Sequence, residues 1–159
     1  MRPSKIPLAA AMFLPLCAQS LQLHIEPGAS GKDGSMEVAL ESPAGKEPLA
    51  LQWEFSFPAP IQIEPGQAMA GPAAEGAQKS IRCAIQVNYR GAKNQVCRCI
   101  LAGGLRPIPD GSVATVKYHV IQKTRPGKYE IGLKKAIAVT GENKKTPIKD
   151  SQAQISVSK

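Results

Sequence analysis

Three of the four cysteines, Cys83, Cys97 and Cys99, fall within a short stretch of the chain and share one alternation parity. Three sulfurs so placed could form a disulfide, bind a soft metal or supply a nucleophilic thiol. A hairpin turning near Gly91 brings Cys83 opposite Cys99, which is the preferred disulfide; Cys83 with Cys97 is the alternative register and leaves Cys99 free. A structural zinc site wants four ligands, and Cys97-x-Cys99 has no second pair at a suitable spacing, so no metal and no cofactor are expected. The two histidines, His24 and His119, point outward on predicted strands. Asp110 and Ser112 stand near His119 in sequence, but Asp110-Gly111-Ser112 reads as a turn entering a strand rather than as part of a triad. Glu54 and Glu64 could pair for glycoside cleavage, yet no aromatic-lined cleft accompanies them. A non-enzymatic protein is expected.

The elements that must position these residues are strands. Leu49, Leu51, Trp53, Phe55 and Phe57 alternate strictly with Ala50, Gln52, Glu54 and Ser56. Period two is a strand with one face buried. The only tryptophan and two of the three phenylalanines are thereby committed to a core, leaving few rings for stacking on a sugar or a base. The same alternation recurs in Leu21, Leu23, Ile25; in Met36, Val38, Leu40; in Ile81, Cys83, Ile85; in Ala114, Val116, Tyr118, Val120; and in Tyr129, Ile131, Leu133. Ile137 with Val139 reads as a separate short strand. Residues 67 to 78, rich in Ala and Gly, read as a surface loop with room for one helical turn.

Many short strands joined by turns at about 8 to 12 residue spacing predict an all-β, antiparallel β-sandwich of jelly-roll type with about nine strands. Trp53, Phe55, Phe57, Val116, Tyr118 and Tyr129 are its expected structural core.

The first twenty residues carry Arg2 and Lys5, an apolar run from Ile6 to Leu16, and Ala18-Gln19-Ser20. This predicts a signal peptide over 1–20, cut after Ser20, and a secreted or periplasmic domain over 21–159. Lipoprotein processing at Cys17 is the alternative, and Leu16 before it is larger than such sites prefer. The apolar run is too short to span a bilayer, so no membrane span is expected.

Charge is uneven along the chain. Residues 21 to 75 hold two lysines against eight acids, a net −6; residues 76 to 159 hold sixteen Lys or Arg against four acids, a net +12. Arg82, Arg90, Arg98 and Lys117 take outward positions and form a candidate basic surface for an acidic polymer or an acidic partner. Nucleic acid is not expected as a partner, because export and the lack of aromatics among the basic residues both oppose it.

With the strands in place, the order of segments resembles the cohesin modules of cellulosomal scaffold proteins, within the carbohydrate-binding-module-like β-sandwiches. The residues that carry the resemblance are Leu51-Gln52-Trp53-Glu54-Phe55; Ile108-Pro109-Asp110-Gly111-Ser112 and the strand from Val113 to Val120; Pro126-Gly127-Lys128-Tyr129-Glu130-Ile131; and Ala136-Ile137-Ala138-Val139. The resemblance implies a stand-alone secreted binding module whose partner is a dockerin-like protein or a polysaccharide, linked to polysaccharide degradation. The cysteine hairpin departs from the family's pattern, and no dockerin-contacting position matches residue by residue. The other reading is a structural component of the cell envelope or secretion apparatus that contacts acidic polymer.

Overall fold

The computed structural model describes residues 18–86 and 93–159. The sequence-predicted signal segment up to residue 17, the Gly91 turn and Arg90 lie outside the described residues.

Among the described residues, twelve strands form two facing sheets, accompanied by one short α-helix and two 3-10 turns. Sheet A runs β1 (Ser20–Ile25), β3 (Asp33–Glu41), β9 (Gly111–Val120), β5 (Ile61–Ile63), with β6 (Met69–Ala70) also on β9. Sheet B runs β2 (Gly28–Ala29), β12 (Ser151–Ser158), β10 (Gly127–Val139), β4 (Ala50–Pro58), β8 (Asn94–Ala102), β7 (Ser80–Gln86), with β11 (Lys145–Ile148) also on β10. The pairings are antiparallel except β2 with β12. The chain passes from sheet to sheet at β1–β2, β2–β3, β3–β4, β4–β5, β6–β7, β8–β9 and β9–β10, so neither layer folds from a single stretch of sequence. The count exceeds the expected nine because β2, β5 and β6 are only two or three residues long.

The core lies between the layers because alternation gives each sheet one apolar face. Leu51, Trp53, Phe55 and Phe57 meet Met36, Val38, Leu40, Val116 and Tyr118, all within 1% of complete burial. Trp53 and Phe55 meet edge to face, with ring centroids 6.2 Å apart. Tyr118 crosses the glycine opposite it, Gly34, and its hydroxyl donates to the Glu26 carbonyl at 2.6 Å. A Cβ on Gly34 would stand 2.4 Å from that ring, so only glycine fits there. Tyr129 is half-buried at the rim, and its hydroxyl donates to the Arg125 carbonyl at 2.7 Å.

Two expectations need correction. Tyr129 to Leu133 and Ile137 to Val139 belong to one strand, β10, interrupted by a bulge between Lys134 and Ile137. The bulge reverses parity, so Ala136 and Ala138 face the core while Ile137 and Val139 do not. The segment from 67 to 78 is not simply a surface loop. It pairs β6 with β9 and holds α1 (Pro72–Gly76), whose Ala74 is buried, as is Ala77 just beyond it.

Candidate functional site

With most of the large apolar side chains enclosed, the outer face of each sheet is the main surface left for recognition. The face of sheet A is polar apart from Met69 on β6, which is exposed opposite Thr115. Gln22 and His24 on β1, Ser35 and Glu37 on β3, Gln62 on β5, and Thr115, Lys117 and His119 on β9 point away from the core. His119 Nδ1 lies 2.6 Å from Asp33 Oδ1, the residue opposite it on β3. This pair makes no triad with Ser112. Seven residues of one strand separate Ser112 from His119, roughly 23 Å at the usual rise, and Asp110 Oδ1 instead accepts the Ser42 backbone N–H at 2.7 Å.

The face of sheet B is basic and partly apolar. Arg82 on β7, Arg98 on β8, and Lys128, Lys134 and Lys135 on β10 stand against Glu54 and Glu130. Ile100, 46% exposed, sits between Gln52 of β4 and Arg82 of β7, and Val96 and Ile137 are half-buried on the same side.

At the centre of this face is Glu54, an outward residue of β4 that is nonetheless almost wholly buried. Arg98, directly opposite on β8, donates from Nη2 at 2.5 Å and from Nε at 3.1 Å to Glu54 Oε1. Lys135 Nζ lies 3.2 Å from Glu54 Oε2. The β10 bulge makes this second pairing possible. Lys135 takes a left-handed φ of +50°, and its backbone N–H donates to Asp150 Oδ1 at 3.0 Å, so two consecutive lysines can serve the same face. Burial alone would raise the Glu54 carboxyl. The hydrogen bonds and positive charges of Arg98 and Lys135 outweigh it and hold the carboxyl below its usual value.

The cysteines sit on the inner side of the same hairpin. Cys83 and Cys99, opposite each other in register, form a disulfide with Cα atoms 4.1 Å apart, and Cys97 is a buried free thiol. All three sulfurs lie within 4.8 Å of one another, but two of them are bonded together. Removal from water raises the Cys97 thiol to about 11, although the backbone of Ala84 opposes the shift, so at neutral pH it is neither thiolate nor nucleophile.

The four basic residues singled out in the sequence do not form one patch. Arg82 and Arg98 share the sheet B face, Lys117 lies on the opposite side of the sandwich on sheet A, and Arg90 lies outside the described residues. Period-two parity assigns a residue to the inside or outside of its own sheet, and both sheets have an outside. Sequence reading also missed the lysine pair Lys134-Lys135, whose signal was a polar doublet where alternation stops.

No protein-family model matches the chain, and no curated protein matches it. Solved structures do. A type I cohesin–dockerin complex from Clostridium thermocellum aligns with a TM-score of 0.69 at 13% identity, over 89% of this chain and 99% of that one. The cohesin module of a family 33 glycoside hydrolase from Clostridium perfringens aligns at 0.67 and 10% identity, over 88% and 96%. A non-cellulosomal cohesin from the archaeon Archaeoglobus fulgidus aligns at 0.65 and 16% identity, over 90% and 93%. At these identities the likeness speaks for architecture, and the architecture of this chain is that of a cohesin module.

Proposed function

We propose that this domain is an exported, non-catalytic protein-recognition module that binds an acidic, dockerin-like partner across the outer face of β10, β4, β8 and β7. The observation that carries the reading is the unequal charge of the two faces: Arg82 and Arg98 flank an exposed Ile100 on sheet B, whereas the exposed apolar side chain of sheet A, Met69 of β6 opposite Thr115, lies on a face whose strands carry a single lysine, Lys117. An apolar centre within a charged rim is how protein interfaces are built. The cohesin-like fold supports the same class of partner, since several of the similar cohesins were solved bound to dockerins.

Polysaccharide is the weaker partner. Trp53, Phe55 and Phe57 are sealed in the core, so a sugar would have no ring to stack on from those residues. An acidic polymer, whether a degraded polysaccharide or part of an envelope assembly, would be held by charge alone and released by salt.

Export by a signal peptide over 1–20 belongs to the same proposal, supported by the disulfide, which suits an oxidising compartment. No helix among the described residues is long and apolar enough to cross a membrane. Intact-mass measurement of the secreted protein is expected to give a chain beginning at Leu21; one beginning at a lipidated Cys17 would replace that account. The function is tested by titrating a panel of purified dockerin domains against the wild-type protein and its Ile100→Asp variant. Binding by at least one dockerin, lost in the variant, is expected. Failure of the whole panel removes the dockerin-like partner.

A further inference from the structure

The loop from β8 to β9 carries a side chain that neither face accounts for. Leu105 is 93% exposed, far more than any other large hydrophobic residue described. A lone exposed leucine needs no explanation on a loose loop. This loop is held at both ends. Lys79, itself only 6% exposed, donates from Nζ to the Gly103 carbonyl at 2.5 Å and to the Gly104 carbonyl at 3.1 Å. Both glycines have left-handed φ, +113° and +52°, and a Cβ on Gly104 would meet the Ala77 and Gln78 carbonyl oxygens at 3.0 and 3.1 Å. The glycines therefore let the loop lie directly on the backbone that leaves α1. Beyond Leu105, Ile108 is fully buried and its N–H donates to the Pro48 carbonyl at 2.8 Å. Burying an ammonium is costly unless its donors are satisfied, and here two of them are satisfied by the carbonyls that set the loop's path.

The stretch of chain that contains Leu105 is basic. From residue 76 to residue 109 the chain has six basic residues, among them Lys79, Arg82, Arg98 and Arg106, and no Asp or Glu. The loop leaves β8 at Ala102, two residues beyond Ile100 on the same outward parity, at the end where Ala102 pairs with Ser80. An apolar knob, pre-ordered, next to Arg106 in the chain and on the loop that leaves the strand of Arg98 and Ile100, fits an apolar pocket bordered by carboxylates.

We infer that Leu105 is the end anchor of the partner-binding face, inserting into an apolar pocket of a protein segment rich in Asp and Glu. This rests on the reading of the sheet B face as the binding surface and adds a specific contact to it. Pre-ordering is the reason for the buried lysine, because a loop already fixed loses little conformational freedom on binding.

The test is selection of a random phage-displayed peptide library on the full purified chain, followed by affinity measurement of the enriched peptides on variants. Enriched peptides are expected to place an apolar residue among acids, and Leu105→Asp is expected to weaken them about tenfold or more, the effect of removing a hot-spot side chain. Its melting temperature should match the wild type, since Leu105 buries nothing in the free protein. Loss of binding with Ile100→Asp but not with Leu105→Asp overturns the anchor and leaves the face reading intact. Indifference to both substitutions overturns both. No enrichment, enrichment of peptides without acids, or Leu105-dependent self-association in place of peptide binding each overturns the inference.

Discussion

On the outer side of sheet A, Asp33, Glu37 and Glu41 of β3 face a single lysine, Lys117 of β9; on that of sheet B, five cations of β7, β8 and β10 face Glu54 and Glu130. The contrast follows from which segments each sheet recruits. Sheet A takes β1 and β3 from the acidic first half, whereas sheet B takes β7, β8 and β10 from the basic second half. Of the early strands in sheet B, β2 holds no charged residue, whereas β4 carries Glu54 into the middle of the cations. An unevenness along the sequence thus becomes an unevenness in space, because the connections sort strands by layer. The exception becomes the best-tied carboxylate among the described residues.

The largest differences between the two layers should appear when their fastenings are removed. Sheet B ends in β7, which the Cys83–Cys99 disulfide staples to β8. Replacing both cysteines by serine is expected to cost about 3 kcal/mol in a denaturant melt, the entropic value for a loop of this size. Sheet A relies instead on the fit of Tyr118 over Gly34. Gly34→Ala forces a methyl into the ring and is expected to cost about 2–3 kcal/mol, as overpacking does. Gly132→Ala on β10 is the control. Its added Cβ meets only the far end of Lys134, at 2.9 Å from Cε, and a flexible side chain can swing away, so a loss under about 1 kcal/mol is expected. Equal losses for the two glycines would mean that Tyr118 is not the constraint proposed.

The functional contrast is the next test. Ile100→Asp on sheet B should weaken partner binding by about thirtyfold or more, a loss near 2 kcal/mol. Thr115→Asp, the matching insertion of a carboxylate on sheet A, should leave affinity unchanged. Isothermal titration with the same partner decides between them, and a larger effect at Thr115 would transfer the binding surface to the other layer.

How much of this was legible in the sequence depends on the distance over which each feature is determined. Alternation is local, so the inward positions of β1, β3, β4 and β9 could be read directly, Trp53 and Tyr118 included. So could the opposition of Cys83 and Cys99, because a hairpin is a short-range structure. The neighbours of β10 could not, since its pairing with β4 and β12 joins residues far apart in the chain. The bulge was hidden for a related reason: a one-residue slip looks like the end of a strand until a partner is seen on both sides. The burial of Glu54 and Lys79 is not legible in the sequence, because a charged residue reads as solvated by default. Each is buried only because groups remote in sequence satisfy it: Arg98 and Lys135 for the carboxylate, and the carbonyls of Gly103 and Gly104 for the ammonium.

The smallest expected effect separates the two faces by pH. Because Arg98 and Lys135 hold the Glu54 carboxyl below its unfolded value, the unfolded chain binds the proton more readily. The stabilisation is therefore complete above about pH 5 and is lost as pH falls through the folded-state value. Glu54→Gln should lower stability by about 1–2 kcal/mol at pH 7, the range for a hydrogen bond to a charged group, and the gap from wild type should narrow as the solution is acidified. Asp33, which is largely exposed beside His119, should behave differently. Asp33→Asn is expected to change stability at pH 7 by less than about 0.5 kcal/mol, as surface pairs do. Chemical denaturation of wild type and both variants across pH 3 to 7 would check the pair. A constant gap for Glu54→Gln would mean that its carboxylate is not held by charge, and the basic face would then lack the internal counterion on which its arrangement depends.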